Sequence, residues 1–406
     1  MEQITTIQGN LFIYSAYQLE DLQGLNNLTY IGGSLEIYNC NNLESLNALS
    51  SLTYIGGSLK ISDNNVLEDL QGLSNLEIIG RDLVVKDNET LNIALEALES
   101  LVSIGGALEV LNNPSLQNLN LLGDVSVIPK YITMINNPQL SDITAMQQVI
   151  NLGGGIHISN NDALTDLNFR ANYDSLEYLR IKGNDGIQTF GNALGNLVAI
   201  ERDFTIENND ALTSIENVDA LNYIGGSLSI SLDSLLENIS GFSNLSFVDG
   251  SVFIYGNPVL RGLEGLESLT EVGGDFYIET CDSLVNLNPL TNLSSVGGWL
   301  YIGNNGNLLN LDGLNSLSTA SGGFFLRNSP LVTNLDSLIN LSGHVSVISV
   351  GGNDHLVNLD GLANITAAHE ILVSNNLLLN NVNAFSNLTT LTRLFTDLSQ
   401  AKGLDF

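Results

Sequence analysis

Positive charge is scarce in this sequence. Only 12 Lys and Arg stand against 44 Asp and Glu, a net charge of −32 over 406 residues. Nucleic acids and anionic membrane surfaces are both gripped by basic footprints, so partners of those two kinds are not expected. Charge of either sign is thin at 14%, against about a quarter in ordinary soluble domains. Asn, Ser and Gly take its place. The acidic balance suits a soluble protein in a salty or calcium-containing exterior. No stretch reaches the roughly 18 to 20 apolar residues of a membrane helix, so no membrane insertion by this segment is expected. Nor does a signal peptide open the chain, since Met1 to Thr6 run straight into repetitive sequence. The expectation is a mature segment of a longer precursor, with any export signal or anchor lying outside it.

Catalytic vocabulary is equally sparse. The four histidines, His157, His344, His355 and His369, show no metal-ligand spacing. There is no nucleophile motif of the Gly-x-Ser-x-Gly type. Recurring Gly-Gly pairs lack the phosphate-cradling pattern. Acidic pairs such as Glu20-Asp21 and Glu68-Asp69 could do acid–base chemistry only in a recessed pocket. No calcium loop is present. The expectation is no enzyme, no cofactor and no resident metal.

What the chain has in abundance is period. Gly32 to Ile55 reads GGSLEIYNCNNLESLNALSSLTYI, and Gly56 to Ile79 reads GGSLKISDNNVLEDLQGLSNLEII, both of 24 residues. Within the first unit the apolar positions are Leu35, Ile37, Leu43, Leu46, Leu49, Leu52 and Ile55. The same frame runs unbroken from Glu201 to Ala368. A chain of this length would ordinarily suggest two or three globular domains. A fixed repeat overrides that expectation, because such proteins grow by stacking turns.

The spacing dictates the shape. Positions 4 and 6 of the repeat alternate, the period of a strand with one buried face. The later apolar positions come every third residue, too tight for an amphipathic helix, and suit extended or 3₁₀ segments. The Gly-Gly pair at positions 1 and 2 is expected to make the corner before each strand with backbone angles closed to other residues. The reading is a β-rich solenoid: a right-handed, single-stranded β-helix or leucine-rich-repeat coil of about sixteen turns, with one main parallel sheet at positions 3 to 7. It extends as one continuous solenoid over residues 1–391, irregular around 118–200, with a C-terminal cap at 392–406. In the irregular stretch Pro129 and Lys130 replace a Gly-Gly pair. There too Asn168 to Ser175 disturbs the spacing, either as a bulged loop or as a junction between two blocks.

Position 9 is Asn in eleven of sixteen turns, from Asn64 to Asn376, with Cys40, Cys281, Asp233, Ser329 and Ala16 at the others. An amide there can pair the turning backbone of its own coil and its neighbour, which would otherwise hold buried unmet groups. The two cysteines fall ten turns apart at this position, far beyond the roughly 7 Å that a disulfide spans. They are expected to be free, buried substitutes.

The run of Gly-Gly, Leu-x-Ile, Asn-Asn and Leu-x-x-Leu, shown well by Leu73 to Val85, LSNLEIIGRDLVV, resembles the receptor L-domain branch of leucine-rich proteins. The resemblance covers about Gln8 to Leu391. It implies a β-helical coil and extracellular binding, and carries over no ligand. The chain departs from receptor L domains in having more turns and no neighbouring disulfide-rich module. Its ladder Asn is followed by Leu after three residues, where the commoner leucine-rich consensus has two.

Outward strand positions differ from turn to turn. Position 5 holds Phe253, Tyr277, Tyr301 and Phe325 in four successive turns, joined by Tyr255, by Trp299, the only tryptophan, and by Arg327. Such a run either stiffens the sheet by cross-repeat stacking or marks a contact surface. These seven residues are the candidate ligand-binding set. Phe12, Tyr14 and Tyr38 form a smaller cluster, and Arg180 with Lys182 a basic one. Eight Asn-x-Ser/Thr sequons, Asn27, Asn244, Asn292 and Asn387 among them, arise mostly at one repeat position. The leading functional expectation is an extracellular or cell-surface recognition and adhesion module that binds a protein or carbohydrate ligand on the sheet face. A structural spacer or cell-wall component without a specific ligand is the alternative. Ice binding would need a regular Thr array, and position 5 has Thr only at Thr133 and Thr205.

Overall fold

The computed structural model describes residues 4–92, 97–119, 121–167, 169 and 173–397. The chain is a parallel β-solenoid of about sixteen turns with almost no helix. It divides into two compact units, Met1–Leu197 and Val198–Phe406.

In the first unit eight four-residue strands run from Leu11–Tyr14, Leu35–Tyr38 and Leu59–Ser62 through to Leu179–Lys182. Each pairs in parallel with the next turn's strand. The register joins equivalent repeat positions, such as Leu35 to Leu59 and Ile37 to Ile61. Those inward residues are fully buried, while Glu36 and Tyr38 between them face out. A second, narrow ladder joins Thr6–Ile7, Tyr30–Ile31, Tyr54–Ile55, Ile78–Ile79 and Ser103–Ile104 at the end of each repeat. The apolar positions spaced by three carry 3₁₀ turns, for example Asn47–Leu49 and Gln71–Leu73. Through the irregular stretch the main ladder holds its pairing from Ile132 to Ile156 to Leu179. Phe169 and Tyr173 are buried there; Asn168 and residues 170–172 of the expected bulge lie outside the described residues.

The second unit repeats the plan from Phe204–Glu207 to Gly323–Arg327 and then lengthens its strands to Gly343–Gly351, Ile365–Ser374 and Thr390–Asp397. In these turns the short corner strand and the main strand are continuous, and Val345-Ser346 stands at the first of them where many turns have Gly-Gly. The last strand pairs with Ile365–Ser374 and overlaps the expected C-terminal cap as far as Asp397; residues 398–406 lie outside the described residues.

The polar ladder is built as position 9 implies. Asn64 donates from Nδ2 to the Ile37 carbonyl at 3.0 Å and the Ser62 carbonyl at 2.9 Å, and its Oδ1 accepts from the Cys40 amide at 3.0 Å. The same three-way pattern recurs at Asn88, Asn113, Asn137 and Asn161. Cys40 and Cys281 are free and buried. Their sulfurs contact the same carbonyls, Cys281 at 3.5 Å from Glu279 and 3.9 Å from Ile254, as weak copies of the amide.

One expectation needs correcting. The Gly-Gly corners do not use left-handed angles: Gly32, Gly33, Gly56 and Gly57 are absent from the residues with positive φ. Their reason is room, because a Cβ on Gly56 would collide with the Gly32 carbonyl of the turn before. The left-handed residue sits instead at position 8, just before the ladder. There φ lies between 50° and 60° at Asn39, Asp63, Asn112, Asn136, Leu232, Thr280, Asn328 and their other non-glycine equivalents, and between 62° and 73° at Gly183, Gly256 and Gly352. Asn and Asp adopt that region readily, whereas Leu232 and Thr280 hold it at a steric cost.

Candidate binding face

Parallel pairing places Phe253 beside Tyr277, Tyr277 beside Tyr301 and Tyr301 beside Phe325. All four belong to the second unit. Strands in register lie about 4.8 Å apart, within the roughly 4.5 to 7 Å centroid spacing of offset ring pairs, so equal positions stack. Ring centroids are 5.4 Å apart for Phe253–Tyr277, 5.1 Å for Tyr277–Tyr301 and 6.0 Å for Tyr301–Phe325, with interplanar angles of 26° to 33°. The row ends in serine on both sides, at Ser229 and Ser349. All four rings are half-buried.

Glycines let the rings lie close to the backbone. A Cβ on Gly303 would collide with the Tyr301 ring, and one on Gly322 with the Trp299 indole. Trp299 is the exposed member, 43% accessible, and its indole lies 5.4 Å from Phe325 at 48°. Tyr255 pairs across to Glu279. The Arg327 guanidinium donates to the Ser349 hydroxyl. The sequence-derived set is therefore contiguous, with Tyr255 and Arg327 on one flank of the row and Trp299 on the other.

Two carboxylates border the row. Glu279 accepts from the Tyr301 hydroxyl at 3.3 Å and from Asn304 at 2.8 Å, and Asp275 accepts from the Trp299 amide at 2.7 Å. Burial, then the charges of Asp275 and Glu279, hold the Tyr277 phenol above its ordinary pKa. Burial and Glu279 do the same for Tyr301. Both phenols therefore stay neutral donors near neutral pH.

The ring geometry adds what sequence could not supply. Along the row the faces are turned toward neighbouring rings, so a partner meets mainly edges, Trp299 and Arg327. The N-terminal cluster is more open. Phe12, Tyr14 and Tyr38 are 48%, 49% and 42% exposed, and Tyr17, absent from the sequence reading, is 54% exposed. Phe12 stacks on Tyr14 at 5.4 Å, and the Tyr14 hydroxyl donates to Glu36. In the basic cluster Arg180 lies 4.9 Å over the Tyr178 ring. His157 is depressed in pKa by burial and then by Arg180 and Lys182. A cleft of about 430 Å³ lies in the first unit beside Asp166, Phe169, Thr189 and Phe190. Among the described residues no three His, Cys, Asp or Glu are grouped to hold a metal, and no helix is long and apolar enough to cross a membrane.

The sequons have a structural reason. Asn244, Asn292, Asn340 and Asn364 each donate from Nδ2 at 2.7 Å to a carbonyl of the turn before. They are an outer amide ladder, kept by the coil itself.

Part of the chain resembles a known family. Residues 3–99 and 32–151 match the receptor L domain model. Over residues 3–151 the chain is similar to the receptor L domain family. Three solved structures are similar at low overall superposition. A leucine-rich repeat protein from Bacteroides ovatus shares 13% identity over 93% of this chain and 77% of its own, with a TM-score of 0.22. The TLR13–ssRNA13 complex shares 16% over 94% and 76%, TM-score 0.19. The plant peptide hormone receptor RGFR1 in complex with RGF2 shares 14% over 92% and 83%, TM-score 0.20. Comparison with curated protein sequences returns no match.

Proposed function

We propose that this chain is an extracellular or cell-surface recognition module that binds a protein or glycan ligand on the sheet face of its second unit. Phe253, Tyr255, Tyr277, Trp299, Tyr301, Phe325 and Arg327 form the contact set. The observation that carries the reading is the unbroken row of four stacked aromatics in successive turns, flanked by the exposed Trp299. Aromatic and Arg side chains supply most binding hot spots. The ring faces are occupied by one another, which favours a partner that meets ring edges over one that stacks on faces. Among the two ligand kinds this supports protein ahead of glycan. The net charge of −32 argues against nucleic acid.

A spacer role is the second reading, and mutual stacking of the rings is the observation that favours it. The two separate in one experiment. Wild type and a Tyr277→Ala/Trp299→Ala/Tyr301→Ala variant are screened against a glycan array and a panel of cell-surface ectodomains, with circular dichroism confirming that the variant is folded. The recognition reading expects saturable wild-type binding that the variant loses. Binding retained by the folded variant removes these residues from the site, and no saturable partner for wild type leaves the spacer.

A further inference from the structure

The buried ladder holds one carboxyl group. Asp233 is fully buried at position 9, where neighbouring turns have Asn209 and Asn257. Its Oδ1 does the amide oxygen's work, accepting from the Asn209 backbone at 2.8 Å and the Asn209 Nδ2 at 3.2 Å. Its own amide donates to Asn257 Oδ1 at 3.0 Å. Oδ2 is different: it is buried and has no hydrogen-bond partner. At this point every ladder Asn presents its NH₂ group. Asn257, one turn on, uses it on the Ile230 carbonyl at 2.9 Å, 27 residues back. The equivalent carbonyls for Asp233 are those of Ile206 and Ser231. A carboxylate would turn a bare oxygen toward carbonyl oxygens inside the coil, leaving both sides unmet. A carboxylic acid would turn an O–H there.

We propose that Asp233 stands in the ladder as the neutral acid, its Oδ2–H replacing the amide N–H, so that this turn is a proton-dependent joint in the second unit. Loss of the proton to solvent removes the donor and leaves a buried charge with no cation to meet it. The charged groups bearing on it are Asp210 and Glu207 on the preceding turn, both carboxylates that oppose ionisation. Strand Leu228–Ser231 on its own turn and strand Val252–Tyr255 on the following one carry no carboxylate or cation. Burial, ahead of these charges, lifts the group to about 7 from an ordinary 3.8. The adjacent Leu232 marks the same turn: a bulky side chain held at φ 60° and 43% exposed, where most turns have Asn, Asp or Gly.

The sign is fixed by linkage. The folded chain binds the proton more tightly than the unfolded chain, so stability contributed by the acid is present at low pH and lost as pH rises toward 7. The joint owes nothing to the recognition reading. The test compares urea unfolding of the full chain with that of Asp233→Asn, which restores the ladder amide. The ratio of the unfolding constant of wild type to that of the variant should rise about a hundredfold from pH 5 to pH 8 and flatten above. Infrared difference spectra at pH 6 should show a protonated carboxyl stretch in wild type that D233N lacks. Asp233→Ser, which copies the serine found at the buried ladder position of Ser329, gives a second variant without the titration. A ratio that stays constant across this range, or no protonated carboxyl at pH 6, overturns the proposal.

Discussion

Replacing Asn113 by Ala tests how the coil is held. Its side chain is fully buried in the first unit. It donates to the Val85 and Leu111 carbonyls, both at 3.0 Å, and accepts from the Asn88 backbone amide at 3.2 Å. Alanine leaves that amide buried without an acceptor, costing about 1 to 3 kcal/mol. It also strips a donor from two carbonyls and opens a small cavity, for a total of about 3 to 5 kcal/mol. Cysteine should cost about half as much, because the native Cys281 still contacts two ladder carbonyls. Urea unfolding followed by circular dichroism reads both variants. The order wild type, Cys, Ala is required. If alanine and cysteine are equal and each costs less than about 1 kcal/mol, the ladder is not what holds neighbouring turns together.

Two further outcomes follow from packing and chemistry. Gly361→Ala should destabilise by more than about 2 kcal/mol, since its Cβ would overlap the Leu335 carbonyl, whereas Gly306→Ala, with only Asp282 Oδ1 at 3.6 Å, should be near neutral in the same assay. Cys40 and Cys281 should resist a thiol reagent in the native protein and react together on unfolding. Both are buried, and burial lifts the Cys281 thiol to about 12; fast native labelling at pH 8 would contradict this.

The main ladder and the identity of its buried face were legible because a strand's period of two and a fixed 24-residue return leave few arrangements for Leu35, Ile37 and their equivalents. The cysteines were legible for the same reason, since they share a register position with Asn64. The Gly-Gly corner was legible in place and misread in cause: close approach between turns is a property of two neighbouring copies, which no single repeat displays. Position 8 carried a signal in its Asn-Asn pairs, but a side-chain ladder and a left-handed turn both favour Asn, and only φ separates them. The seven candidate residues could be picked out from register alone. That their rings spend their faces on one another could not, because it depends on ring tilt over Gly303 and Gly322.

Trp299 gives the most direct test of the recognition claim. It is the only tryptophan, so emission excited selectively from tryptophan, past the tyrosine absorption, reports on this face alone. Each glycan or ectodomain that binds wild type is titrated while Trp299 emission is followed, and its affinity is measured again with Tyr277→Ala/Tyr301→Ala. The account predicts a saturable emission change and at least about thirtyfold weaker binding to the variant, the loss expected for hot-spot aromatics. A ligand that binds both proteins equally and leaves Trp299 emission unchanged would contradict it.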